Sequence, residues 1–346
     1  MVRRSNARRV QFGVAILVIA TVVLCGYQLS TSMDQRSQAP AGTRVQVRSG
    51  ASLRGVLAEL ARVKAVQNPR WVEGFLRLQG QHLNAQAGTY ELLPHASVRE
   101  ILGQLNAGQV VLAQVTVVEG WTLAQMRAAL NANRALRHEW QSLSDVALMS
   151  ALGQAGVPAE GRFFPDTYRF ADGTSDGKIY EMALRRMNER LQQEWGARAP
   201  GLPVAGPTAA LILASIVEKE TGREDERGKV SAVFNNRLRI GMRLQSDPTI
   251  IYGLGAAYDG DLRLRDLRTD GPYNSYTRAG LPPTPIALPG GASLRAVLHP
   301  VASDALYFVA TGLGDGSHHF STTYAEHKEA LQKFLRRTGA VSGGAR

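Results

Sequence analysis

PTAALILASIVEKETGRED, residues 207–225, is the stretch from which the fold of this chain is best read. From Ala209 to Val217 every position is apolar or small. A helix here has no polar stripe, so it must be buried on all sides. Glu218 follows directly and opens a charged run. At about 100° per residue, Leu211, Ala214, Ser215 and Gly222 share its face, while Lys219 and Glu220 point elsewhere. That face is small in side-chain volume and leaves room for a ligand beside a carboxyl at the tip of a buried helix. Apolar surroundings disfavour a charged carboxylate, and a carboxyl that keeps its proton near neutrality can serve as a general acid. Spacing alone also allows EKETGREDER to be a frayed helix end that turns into a solvated, charged surface.

On either side, amphipathic patterns predict helices over Ile179–Trp195 and Arg227–Ile240, the latter stopped by Gly241, with the core helix over Thr208–Glu220. The Pro/Gly-rich break GARAPGLPVAGP separates the first of these from the core helix. Loop-rich segments carrying most of the prolines follow Gly241. ALYFVA, residues 305–310, reads as a short buried strand and Tyr324–Arg337 as a closing helix. Toward the N-terminus one local theme appears three times, in TRVQVRSGASLRGVLAEL from Thr43, GTYELLPHASVREILGQL from Gly88 and AQVTVVEGWTLAQMRAAL from Ala113. Each is a β-prone stretch, a turn, a capping Ser or Thr, and an amphipathic helix. Ser52, Ser97 and Thr122 occupy N-cap positions, and Ser97–Glu100 and Thr122–Gln125 have capping-box spacing. The caps are unequally spaced, which excludes a solenoid repeat. The first two themes, with a helical stretch around Trp71–Leu78, form a compact unit, and the remainder forms a larger one. The fold class is α+β.

The chain begins differently. FGVAILVIATVVLCGYQL, Phe12–Leu29, is eighteen residues without a charge. As a helix it spans about 27 Å, close to the hydrocarbon thickness of a bilayer. Arg3, Arg4, Arg8 and Arg9 precede it and favour a cytoplasmic N-terminus. This gives a cytoplasmic tail over residues 1–10, a transmembrane helix over 11–31, a polar linker over 32–42 and a periplasmic body. A cleaved signal peptide is the rival reading, with Ser30 and Ser32 as small residues near a cleavage site, although the apolar run exceeds the usual signal length. Leu24 before Cys25 argues against a lipoprotein. The tail at 338–346, rich in glycine, is expected to be mobile.

Net charge is +11, of which the four leading arginines supply four, leaving +7 on the rest. A basic exported body suits an anionic polymer or a membrane surface. No basic helix or aromatic–basic interleaving points to nucleic acid. One cysteine excludes an intrachain disulfide, and no Cys-based metal site is available. His318 and His319, adjacent in a Gly-rich loop without a spaced third ligand, do not read as a metal site. No nucleophile elbow, P-loop or dinucleotide fingerprint occurs, and no cofactor is expected.

Seven stretches, in order, carry a resemblance: AGTYEL at Ala87, VVEGWTL at Val117, EGRFFPDTY at Glu160, LASIVEKET at Leu213, NRLRIGMRLQSDPTIIYG at Asn236, GPYNSYTRAGLPPTPIALPG at Gly271 and DGSHHFSTTYAEH at Asp315. Together they resemble the endolytic murein transglycosylase family, the YceG-like proteins, over nearly all of residues 1–335. The resemblance implies cleavage of the β-1,4 bond between N-acetylmuramic acid and N-acetylglucosamine in peptidoglycan, leaving 1,6-anhydro-muramic ends. It makes Glu218 the catalytic carboxyl, residues 43–106 a LysM-like module and residues 107–337 the catalytic domain. It also implies nascent glycan strands as substrate, attachment to the inner membrane, and penicillin-binding synthases as partners.

One carboxyl suits that chemistry. Ordinary glycosidases need two, whereas here the sugar's own C6 hydroxyl attacks, so the same group can act as acid and then as base. Gln245, Asp247, Tyr273, Asn274 and Tyr276 resemble in type the sugar-holding residues of other lytic transglycosylases, and Ser215 joins them as a neighbour of Glu218. Arg237 is read as structural before substrate-binding, Glu160 and Asp166 as structural, and Glu220 as a less suited acid because of its helical face. Two rival functions remain: a non-catalytic peptidoglycan-binding scaffold, and a hydrolytic muramidase that leaves reducing ends.

Overall fold

The computed structural model describes residues 2–48 and 50–339, with side chains from residue 16 onward. The chain divides into two compact units, Met1–Gln114 with Arg169–Thr174, and Val115–Tyr168 with Ser175–Arg346.

In the first unit a long helix α1 (Val2–Asp34) leads into β1 (Arg44–Val47), α2 (Leu53–Arg62), α3 (Pro69–Leu78), β2 (Gly88–Glu91) and α4 (Val98–Asn106). β1 and β2 pair antiparallel with Val45 opposite Tyr90 and Val47 opposite Gly88. In RVQV the two valines face inward while Arg44 and Gln46 face out, the alternation a half-buried strand requires. Val56, Leu57 and Leu60 of α2, Val72 and Leu76 of α3, and Val98, Ile101, Leu102 and Leu105 of α4 close the core over this ribbon. The predicted caps form: Ser52 accepts from Gly55 N–H, and Ser97 with Glu100 makes a reciprocal capping box.

The N-terminal segments differ from expectation. α1 is helical from Val2 and continues to Asp34, past the expected end at residue 31. The stretch 32–42 is not a free linker: Ser32, Met33 and Ser37 are buried. Its backbone is bonded to the module, with Ser37 N–H donating to Ala96 O and Gln38 N–H to Lys64 O. Met33, buried in the module's core, and Ala39, packed against it, fasten the stretch.

The second unit contains α5 (Leu123–Ala132), β4 (Leu136–Arg137), α6 (Asp145–Ala151), α7 (Asp176–Gly196), α8 (Pro207–Glu220), α9 (Glu224–Arg239), α10 (Asp247–Leu254), α11 (Leu264–Arg268), α12 (Gly291–Leu298), β7 (Tyr307–Ala310), β8 (His318–Ser321) and α13 (Tyr324–Thr338). The division runs through β3 (Leu112–Thr116), β5 (Thr167–Ala171) and β6 (Thr174–Ser175); β3 pairs with β5, β4 with β6, and β7 with β8. Ala210 to Val217 of α8 are all buried, as their composition demands. α12, α9 and α7 pack around α8. α12 falls where loops were expected; at eight residues, opening on Gly-Gly, it is too short to show a helical period. The strand expected to be buried at 305–310 is half-buried along Tyr307–Ala310, because it belongs to a two-stranded ribbon. The tail expected to be mobile begins inside α13, and from residue 340 onward it lies outside the described residues.

Candidate active site

Two loops meet the C-terminal end of α8. In one, Val117–Thr122, Gly120 N–H donates to Leu288 O at 2.9 Å. In return Leu288 N–H donates to Trp121 O at 2.6 Å, so the loop is laced to the other, Thr284–Gly290. Ser215 fastens the second loop to the helix: its Oγ accepts from Ile286 N–H at 3.0 Å and donates to Ile212 O at 2.7 Å. Ser215 is fully buried. Both of its hydrogen-bonding roles are taken by protein, so in this structure it fastens the loop beside Glu218.

Glu218 emerges half-buried where these loops cross. Its Oε2 accepts from Gly290 N–H at 2.9 Å. Gly120, held at φ +77°, faces its other side, where an added Cβ would lie 3.7 Å from Glu218 Cγ. The carboxyl therefore sits between two glycines, and no ion pair engages it among the described residues. The wholly apolar setting expected from the sequence is replaced by a backbone cradle.

A second carboxyl stands at the same place. A Cβ on Gly290 would lie 1.9 Å from Glu119 Oε1, so Glu119 rests directly against the Gly290 backbone. Gly290 has an ordinary φ of −76°, so only space limits a side chain there, and the group that would have to give way is the exposed Glu119 carboxyl. Desolvation raises the Glu119 carboxyl above the usual carboxylate range, the negative charge of Glu218 raises it further, and Arg227 opposes both. Sequence reasoning assigned Glu119 no role. Its signal was present in VVEGWTL, a lone acid before a glycine, just ahead of a capped helix.

Beside Lys219 a cavity of about 900 Å³ opens, lined by residues that include Thr122, Glu160, Tyr252, Tyr273 and Ile286. Lys219 Nζ donates to Gly120 O at 3.3 Å and so ties the cavity wall to the Glu218 cradle. Glu160 accepts from Leu123 N–H at 2.9 Å, Gly161 N–H at 3.2 Å and Tyr252 Oη at 3.3 Å. Burial pushes its carboxyl up to about 7 against those donors. Its partners are the structural ones expected, yet it also faces the cavity. Tyr273 packs edge-on against Tyr252 at 5.0 Å and shares a hydrogen bond with Thr284 at 2.8 Å, which brings this candidate to the cavity wall.

The other candidates gather elsewhere. Tyr276 Oη donates to Asp247 at 2.6 Å. Ser246, beside Asp247, donates to Glu220, and Gln245 N–H donates to Ser275 O at 3.1 Å from a left-handed backbone at φ +49°. Burial pushes the Glu220 carboxyl up to about 7, opposed by the Ser246 hydrogen bond. Asp247 and Tyr276 thus lie near enough to Glu220 to act on its charge, and Gln245 adjoins them through Ser275. Asn274 is consumed within its own loop: Nδ2 donates to the carbonyls of Asp266, Leu267 and Thr269, and Oδ1 accepts from Tyr276 and Thr277 N–H. Buried and partnered at both amide atoms, it shapes the loop, and it lines a separate small cavity with Tyr273 and Arg278. Arg237, also buried, donates to Leu306 O and Leu244 O, a structural role. Asp166 pairs with Arg186 at 2.6 Å. His318 is bonded to Glu226 at 2.8 Å through Nδ1.

The profile of the YceG-like family matches residues 45–333. This chain belongs to the YceG-like family. A relative from Bacillus subtilis strain 168, named endolytic murein transglycosylase, is 29% identical over 337 residues, covering 92% of this chain and 91% of that protein. One of the same name from Streptococcus pneumoniae strain D39 is 27% identical over 283 residues, covering 71% of this chain and 50% of that longer protein. The crystal structure of a yceG-like protein from Listeria monocytogenes aligns with a TM-score of 0.53 at 28% identity, covering 83% of this chain and 98% of that one.

Proposed function

We propose that this YceG-like protein is a peptidoglycan lytic transglycosylase that cuts the β-1,4 bond between N-acetylmuramic acid and N-acetylglucosamine, with Glu218 as its catalytic carboxyl. The observation that carries this reading is the glycine cradle: a half-buried carboxyl without an ionic partner among the described residues, joined through Lys219 and Gly120 to a cavity of about 900 Å³. The names of its relatives supply the substrate class.

In the proposed reaction protonated Glu218 gives its proton to the departing glycosidic oxygen as the bond to C1 breaks. The C6 hydroxyl of the same muramic residue then attacks C1 and returns its proton to the Glu218 carboxylate. The 1,6-anhydro ring forms, no water is consumed, and the enzyme ends as it began. Proximity comes from the sugar itself. Gly290 N–H orients the carboxyl, and Tyr273 supplies an aromatic wall for a sugar ring.

A hydrolytic muramidase is the second reading, favoured by one observation: Glu119 provides the second, exposed carboxyl that could activate water. Mass spectrometry of the products decides. Anhydro ends from both the parent chain and Glu119→Gln support the transglycosylase. Reducing ends, one water heavier and lost with Glu119→Gln, support the muramidase. Binding without any cutting would leave a scaffold.

The apolar part of α1 supports an inner-membrane anchor: residues 16–34 have a mean hydropathy of 1.7 in their apolar window, of which 11% is buried. With the leading arginines cytoplasmic, both units face the periplasm and strands still near the membrane. The order β1–α2–α3–β2 supports a LysM-like, glycan-binding reading of residues 43–106.

A further inference from the structure

The first unit leaves one helix face unused by its own core. On α3, Val72 and Leu76 turn inward and are buried. Arg70, Trp71, Gly74, Arg77 and Leu78 fall within an arc of roughly 120° on the opposite side. Leu78 is 77% exposed and Trp71 38%. At the centre of this arc α1 crosses: a Cβ on Gly74 would meet Leu29 Cδ2 at 3.3 Å. Leu29 ends the uncharged stretch of α1, and just before it Val22, Val23, Leu24 and Tyr27 stand exposed. Trp71 and Leu78 therefore flank, one helical turn to each side, the point where the apolar helix leaves the unit.

Cations accompany them. Between α2 and α3 lies a cavity of about 580 Å³ lined by Arg54, Arg70, Arg77 and Glu73, among others. Glu73 pairs with Arg77 at 2.6 Å and Arg54 at 3.3 Å and holds both guanidinium groups in place. Arg70 has no ion pair among the described residues, so three cations meet one anion.

We infer that α3 is an interfacial helix: Trp71 and Leu78 enter the headgroup–acyl boundary, and Arg70, Arg77 and Arg54 bind the phosphates of anionic phospholipids. The inference rests on the anchor reading of α1. Its physical basis is threefold. Tryptophan gains most where its apolar ring and its N–H can be satisfied together, at the interface. Arginine stems cover apolar surface while their heads stay with phosphates. The face is continuous with the span that would bring it to the bilayer, which commits it to lipid and not to a soluble partner.

The test uses the full chain in the Cys25→Ser background, with a nitroxide label on Leu78→Cys or, separately, Val22→Cys, reconstituted in phosphatidylethanolamine vesicles with or without phosphatidylglycerol. Collisional access to oxygen and to a water-soluble nickel chelate is measured. The label at 78 is expected to favour oxygen in the anionic vesicles. Chelate access should rise severalfold when phosphatidylglycerol is left out or when Arg70→Glu and Arg77→Glu are added. A label at 78 open to chelate while the label at 22 favours oxygen overturns the inference and leaves the anchor standing. Chelate access at both positions overturns the anchor reading and the inference with it. Shielding at 78 that does not respond to lipid charge removes the phosphate contacts, and shielding found only in native membranes assigns the face to a protein.

Discussion

Glu218 and Glu220 stand two residues apart at the end of one helix, and their surroundings differ in kind. Glu218 is held by backbone, between Gly120 and Gly290, with a single N–H on one oxygen. Glu220 is held by side chains, bonded to Ser246 with Arg237 close enough to act on its charge. Burial, which the sequence assigned to Glu218, pushes Glu220 up to about 7. Burial raises a carboxyl wherever it occurs, but a reacting carboxyl also needs an open side for substrate. The proposed site follows from the cradle and from the cavity beside Lys219. A raised carboxyl alone does not locate it.

Exchanging the two acids gives the largest expected effect. Glu218→Gln should lower glycan cleavage about a thousandfold, the loss typical of a general acid, with thermal stability essentially kept. Glu220→Gln, which can still accept from Ser246, should keep cleavage within about fivefold. The reverse ranking in the same assay would move the chemistry to Glu220.

Next comes the space above Gly290. Gly290→Ala places a methyl 1.9 Å from Glu119 Oε1, so either Glu119 or the loop must move. If the loop moves, the N–H on Glu218 moves with it, and activity should fall by about a hundredfold, as small misplacements of a catalytic group can cause. Adding Glu119→Ala should restore most of it. Failure of that rescue would place the role of Gly290 elsewhere.

Ser215→Ala should separate folding from chemistry. It leaves the Ile286 N–H buried without its acceptor, a cost of about 1–3 kcal/mol. Denaturant unfolding should show that loss while KM stays unchanged. A raised KM at full stability would return Ser215 to the substrate site.

The outlines of this arrangement were legible in the sequence, and its contacts were not. The uniform apolarity of 209–217 predicts a buried helix, and α8 is one. The caps at Ser52, Ser97 and Thr122 are local, three-residue interactions, and all three form. By contrast, Glu119 meets Gly290 across 171 residues of chain (290 − 119), and Ser215 meets Ile286 across 71. No periodicity encodes such pairings. The grouping of Asp247 and Tyr276 near Glu220 was hidden for the same reason: residue type suggests a role, whereas location follows from tertiary packing.

Acidity gives a smaller effect. The raised carboxyls of Glu220 and Glu160, both at about 7, bind protons in the folded chain that the unfolded chain releases near 4.5. Over that window the unfolded state holds fewer protons, so stability falls as pH rises from about 4.5 to 7. Thermal unfolding followed across this range should show the decline, and Glu220→Gln should remove part of it. A flat profile in the parent chain would contradict the burial of both groups.

The finest test concerns the rim around Glu220. Tyr276→Phe removes one hydroxyl, whose partner Asp247 is exposed. A single such bond contributes about 0.5–1 kcal/mol, equivalent to a twofold to fivefold change. If Asp247 and Tyr276 only help to hold a sugar, that change should appear in KM with kcat intact. If it appears in kcat instead, the reacting bond lies on the Glu220 side of α8, and the contrast between the two acids is reversed.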